Sequence, residues 1–228
     1  MSFFDELQSA TAAERQALYA TPVIREALAG QVSLEGYRAF LTQAYYHVRH
    51  TVPLMMACGA RLPVRLEWLR AAVCEYIDEE YGHEQWILND ITACGGDADS
   101  VRDGQPSLPI ELMVSFLYDL IARGNPVGLF GMVNVLEGTS IALATQAAGA
   151  IREGLQLPPT AFSYLSTHGS LDIGHMDNYR DLMNRLDQPA DQQAVIHASK
   201  VVYQLYADMF RGLPRLEPAR QETRHAVV

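Results

Sequence analysis

Residues 127–155, VGLFGMVNVLEGTSIALATQAAGAIREGL, decide how the rest of the chain is read. Asn125 and Pro126 precede them, a capping residue followed by a proline at a first helical position. The apolar and small side chains that follow lie on every side of a helix rather than along one stripe, so this helix belongs at the buried centre of a bundle.

The flanking sequence supplies the surrounding helices. Toward the N-terminus, ELMVSFLYDLIARGN (residues 111–125) reads as a helix that stops at Gly124. Residues 64–96, VRLEWLRAAVCEYIDEEYGHEQWILNDITACGG, read as one long helix closed by Gly95-Gly96 in the manner of a C-cap. Ser33 is the N-cap of another long helix through GYRAFLTQAYYHVRHTVPLMMACGARL, kinked at Pro53. Residues 2–30 make one or two short amphipathic helices. Toward the C-terminus, Pro158-Pro159 and Gln188-Pro189 separate two further helices, and a polar tail follows Pro214. No segment alternates as a strand. The expectation is an all-α single domain over residues 1–228, about seven helices with residues 215–228 as a frayed tail.

Composition narrows the partners. The formal net charge is −10, and the one lysine is Lys200, the other basic residues being arginines spread along the chain. Nucleic acid and anionic membranes require a clustered basic patch, so a small molecule is the expected partner. Cys58, Cys74 and Cys94 are odd in number and lack a CxxC spacing, which fits free thiols in a reducing compartment. The N-terminus has no positive region followed by an apolar one, and no uninterrupted apolar run approaches a membrane span. A cytoplasmic location follows as the expectation.

Glu137 interrupts the apolar central helix. Burying an ionised carboxylate there costs several kcal/mol unless an arginine, strong donors or a metal meets it. Two other segments carry donors suited to a metal. His168, Asp172 and His175 stand at i, i+4 and i+7, one narrow stripe of a helix. Glu80 and His83 stand at i and i+3, the offset that also separates Asp172 from His175, and Glu79 is the alternative carboxylate. Tyr76, one turn before Glu80, reads as core packing or as a hydrogen-bond partner of a ligand. Imidazole nitrogens with carboxylates suit Fe, Mn or Zn better than Ca or Mg, and Glu-x-x-His is a spacing used in carboxylate-bridged two-metal bundles.

With this order and these gaps, Glu80-x-x-His83, then Glu137 in a buried helix, then His168-x-x-x-Asp172-x-x-His175, the chain resembles the haem-oxygenase-like diiron oxidases of the wider TenA/PqqC superfamily. The resemblance runs roughly from the second helix to the last. It implies a TenA/PqqC-type, haem-oxygenase-like bundle with Glu80, His83, Glu137, His168, Asp172 and His175 as the ligands of two Fe ions or an Fe and Mn pair. It further implies O2 as co-substrate, oxidation of a small organic substrate, and a homodimer. Where some relatives place a glutamate two turns before the first histidine, this chain has Tyr76, which leaves Glu80 for the role.

Departures from other relatives matter as much. Thiaminase II enzymes of the TenA type carry an aspartate where this chain has Ala44, and a cysteine nucleophile in the central helix where this chain has none. A metal-free aminopyrimidine hydrolase or salvage enzyme is thus the rival reading, and a non-catalytic small-ligand-binding protein on the same bundle is the other. Relatives that consume their own tyrosine have it beside the middle glutamate, where Leu136 stands here. No catalytic side chain is expected beyond the metal ligands. Tyr46, His47, Arg49 and His50 are the candidates for holding substrate. His47 and His50 would share a helix face, and Arg49 would offer its fork to a substrate carboxylate. Tyr203, Tyr206 and Phe210 read as core packing.

Overall fold

The computed structural model describes residues 1–216, apart from the side chains of residues 168–175. Among the described residues there are twelve α-helices and no strand. They are α1 (Phe3–Ala10), α2 (Ala12–Tyr19), α3 (Pro22–Leu28), α4 (Leu34–Val48), α5 (Thr51–Arg61) and α6 (Glu67–Glu80), followed by α7 (His83–Ala93), α8 (Ala98–Asp103), α9 (Leu108–Arg123), α10 (Leu129–Leu155), α11 (Ser163–Asn184) and α12 (Pro189–Arg211). One hydrophobic core runs through them from Phe3 to Leu213.

Two helices read as continuous are each broken, which accounts for much of the difference from about seven. The first break falls at Arg49–His50, earlier than the kink expected at Pro53. Pro53 is instead the third residue of α5, where its missing N–H costs nothing, while a helix carried through would drive its ring into the carbonyl of Arg49. The second break, at Tyr81–Gly82, divides residues 64–96 into α6 and α7. Gly82 has φ 90°, a left-handed conformation open to glycine at little cost. A Cβ there would meet nothing within 4 Å, so the glycine serves the backbone turn and not the packing. The polar stretch after Gly96 also contains a short helix, α8, capped by Asp97.

α10 lies at the centre and packs most extensively on α11 and α12. Its stretch Pro126–Leu155 is long and apolar enough to cross a membrane by length and composition, with mean hydropathy 1.5, although no uninterrupted apolar run signals it. Two thirds of its most apolar window, 67%, is buried against other helices, as a core helix requires. At Gly131 the backbone of α10 touches α12 directly, and beside it Gln8 donates to Asn134 (2.8 Å), Asn134 to Ser199 (3.4 Å) and Ser199 to the carbonyl of Gly131 (3.3 Å). The fully buried Asp191 takes two bonds from Arg65 (2.6 and 3.1 Å) and one from Asn125 (2.8 Å), fastening the start of α12 to the turns before α6 and α10.

Asp90, on α7, fastens the start of α11. Its carboxylate accepts bonds from the backbone N–H groups of Ser163 (3.0 Å) and Tyr164 (2.9 Å) and from the Ser163 hydroxyl. These are first-turn donors that the helix itself leaves unsatisfied. Burial pulls the Asp90 pKa up against those bonds, so holding the charge there offsets part of what they contribute. Asp90→Ala is therefore expected to cost about 1–2 kcal/mol, the usual effect of losing a cap. Thermal unfolding checks this, with Ser163→Ala expected to cost less because both backbone donors keep their partner.

Candidate metal centre

The break at Gly82 sets the geometry of the first donor pair. Glu80 is the last residue of α6 and His83 the first of α7, so they meet across a turn and not along one helix face as the spacing suggests. Both are buried, at 8% and 4% exposure, in a chain whose other glutamates lie mostly toward solvent. The Nδ1 of His83 lies 3.1 Å from Oε2 of Glu80. That separation suits a hydrogen bond, and it also matches two neighbouring donors of one ion bonded at ~2.1 Å. Trp86 stacks on the His83 ring, centroids 4.0 Å apart, and holds its orientation.

Glu80 faces a cavity of about 60 Å³ that Glu137 enters from α10 and His47 from α4. Thr51, Ser140 and Tyr164 complete its polar lining, and Met55, Met132 and Val133 are among its apolar walls. Below it, the fully buried Tyr179 donates to the carbonyl of Phe130 at 2.8 Å. Burial above all, then Tyr76 and the Glu137 carboxylate, push the Tyr179 hydroxyl well above its ordinary range. Tyr76 is itself buried against the edge of Phe130.

The remaining sequence candidates divide cleanly. Glu79 is exposed and lines an outer acidic groove with Glu75 and Asp181, and it is not among the residues lining the cavity shared by Glu80 and Glu137. Tyr46, Arg49 and His50 do not line the Glu80–Glu137 cavity. Consecutive helical residues point about 100° apart, so His47 facing inward turns Tyr46 elsewhere. Arg49 lies over the rings of Tyr45 and Tyr46. His50 sits beyond the end of α4, so it does not share a face with His47, and its Nδ1 is 3.2 Å from the hydroxyl of Tyr118. Burial first, then Arg49, lower its pKa. His168, Asp172 and His175 are carried by α11, but their side chains lie outside the described residues. Among the described residues alone, no group of three His, Cys, Asp or Glu side chains is placed to hold a metal.

Ser140 and Tyr164 are lining residues that sequence reasoning missed. Ser140 had a signal, standing three residues after Glu137 on the same helix face. Tyr164 had none, because its place depends on how Asp90 anchors α11. Chemically, the cavity gathers two carboxylates and an imidazole from three helices, with a second imidazole bonded to one carboxylate. Oxygen and nitrogen donors of these kinds are ones that Fe and Mn accept.

Comparison with known proteins bears on both fold and chemistry. A family model described as an iron-containing redox enzyme matches residues 38–207. A solved domain of unknown function with a heme oxygenase-like fold from Shewanella denitrificans superposes with TM-score 0.80 at 23% identity, covering 92% of this chain and 90% of that one. A TenA homologue from Pseudomonas syringae gives 0.78 at 11% identity, covering 91% and 90%. The heme oxygenase from Leptospira interrogans gives 0.74 at 19% identity, covering 93% and 100%. At these identities the superpositions establish the heme oxygenase-like, TenA-type all-α fold. The sequence matches none of the curated proteins with which it was compared.

Proposed function

Because this chain belongs to the family of iron-containing redox enzymes, we propose that it is a non-haem diiron oxidase or oxygenase that uses O2 to oxidise a small organic substrate. One observation carries the reading. Glu80 and Glu137, from separate helices, face the same cavity, with His83 within bonding reach of Glu80. In the proposal these three hold metal together with His168, Asp172 and His175, six donors that suffice for two Fe ions or an Fe and Mn pair. Bound reduced metal supplies electrons and open coordination positions for O2.

The protein's own part is positioning and exclusion. Trp86 fixes the ring of His83, and Met55, Met132 and Val133 keep the walls apolar, limiting water at the reacting centre. His47 presents its imidazole to the same cavity and is the side chain placed to exchange a proton with a molecule held there. The TenA hydrolase reading draws no support from the thiols. Burial pushes Cys58 up to about 12 and Cys94 to about 11, Cys74 is exposed on α6, none of the three lines the cavity, and Ala44 is fully buried core. A thiol held protonated is a poor nucleophile.

Metal analysis of protein purified without chelator, followed by oxygen-electrode traces on Fe(II) addition to stripped protein, tests the proposal. The expected result is about two metal ions per chain and O2 uptake that depends on Fe(II). Absence of both, or turnover of aminopyrimidines in EDTA, would overturn it.

A further inference from the structure

The first turn of α11 is capped from outside its own segment. Its N-cap residue, Phe162, has no side chain able to accept a bond, and the donors there go to Asp90 of α7. Asp90 is fully buried, and its two oxygens share the task. Oδ1 accepts from the N–H of Ser163 at 3.0 Å and from the Ser163 hydroxyl, and Oδ2 accepts from the N–H of Tyr164 at 2.9 Å. A serine or aspartate at position 162 would satisfy donors of this turn locally. A cap supplied by another helix does more, because it fixes the start of α11 against α7, on which it packs. Both helices carry residues of the metal centre. α7 begins at His83, and Asp90 follows seven residues later, two turns along the same side of the helix. On α11, Tyr164 lines the cavity that Glu80 and Glu137 enter. His168, Asp172 and His175 come four, eight and eleven residues after Tyr164, spacings that return to one side of a helix.

We propose that Asp90 is a positioning residue of the metal centre: it sets the offset of α11 along α7, and with it the distance from His168, Asp172 and His175 to Glu80 and His83. The proposal rests on the reading of those five residues, with Glu137, as the metal ligands. Asp90 does not itself line the cavity, so it acts through the backbone of α11. Asparagine at this position keeps the volume but turns an N–H2 group toward backbone N–H donors. At least one bond is then lost and α11 is released from its register on α7.

Co(II) titration of the stripped full chain, below the melting transition of every variant, tests it. Co(II) enters sites that take Fe(II), and its visible bands report the geometry of its ligands. Asp90→Asn is expected to weaken Co(II) binding about tenfold, the low end for partners one step removed from a metal, and to shift the bands at saturation. Asp191→Asn is the control. Asp191 is equally buried and ties the start of α12 in the same manner, but α12 carries none of the proposed ligands. That variant should melt lower than the wild type yet keep its Co(II) affinity and bands. If Asp90→Asn does not fold, Ser163→Ala, which removes only the hydroxyl bond, should shift the bands in the same direction by less. Wild-type affinity and bands in a folded Asp90→Asn, or in Ser163→Ala where that variant stands in for it, would overturn the proposal, as would an equal loss in Asp191→Asn. A wild-type chain that takes up no Co(II) would sink the oxidase reading and this proposal with it, whereas wild-type uptake beside an indifferent Asp90→Asn counts against the positioning role alone.

Discussion

Glu137→Gln is expected to move stability and metal affinity in opposite directions. Glu80, buried, and Glu137, half-buried, face the same cavity, and two like charges there disfavour each other when no cation is bound. Glutamine keeps the shape and removes one charge. In EDTA the variant should therefore be more stable by on the order of 1 kcal/mol, about 2–4 °C for a chain of this size. Fe(II) affinity should fall at least about a hundredfold, since even partners one step removed from a metal are worth 10–100-fold. Melting curves in EDTA and with Fe(II), beside a binding titration, read both effects. A less stable variant with unchanged Fe(II) affinity would show that the carboxylate is held by protein donors alone and that the site lies elsewhere.

Gly131 carries the largest expected effect on folding. A Cβ there would lie 2.6 Å from the backbone nitrogen of Ser199 and from the carbonyl oxygen of Val195, and 2.7 Å from the Cβ of Ala198. Two of these atoms are backbone and cannot turn aside, so α10 and α12 must separate. Gly131→Ala should cost about 3 kcal/mol, the upper end for overpacking, or roughly 6–12 °C. The same helix provides its own control. At Gly149 a Cβ would meet nothing within 4 Å, and Gly149→Ala should stabilise by about 0.5–1 kcal/mol through helix propensity. Thermal or urea unfolding of the two variants should thus give opposite signs for one substitution, and equal shifts would refute the packing argument.

What the sequence made legible follows from which physics is local. The all-apolar stretch around Glu137 required a central helix, and the structure has one, because burial on every side is a property of that segment alone. Glu80, His83 and Glu137 stood out as carboxylates and an imidazole in apolar surroundings, and the structure brings Glu80 and Glu137 to one cavity with His83 on Glu80; their part as metal ligands belongs to the proposal. The interruptions were not legible. Apolar periodicity continues almost unchanged across Gly82, and only the φ of 90° reveals that the helix ends there. Pro53 signals a disturbance in the sequence, but its ring acts one turn earlier than its own position. Asp90 gave no sign of its role, since its partners Ser163 and Tyr164 lie more than seventy residues away and meet it through tertiary packing. The apolar cavity lined by α3, α4, α10, α11 and α12 was equally hidden, being a space among five helices rather than a property of any one of them.

The turn at Gly82 also decides what sets the gap between the first carboxylate and the first imidazole. In an unbroken helix, the gap between a carboxylate and an imidazole three residues apart is dictated by the spiral itself. Here Glu80 ends one helix and His83 begins the next, so their separation follows from the turn and from how α7 packs on α4 and α11, and a substitution at Gly82 would reset it without touching either side chain.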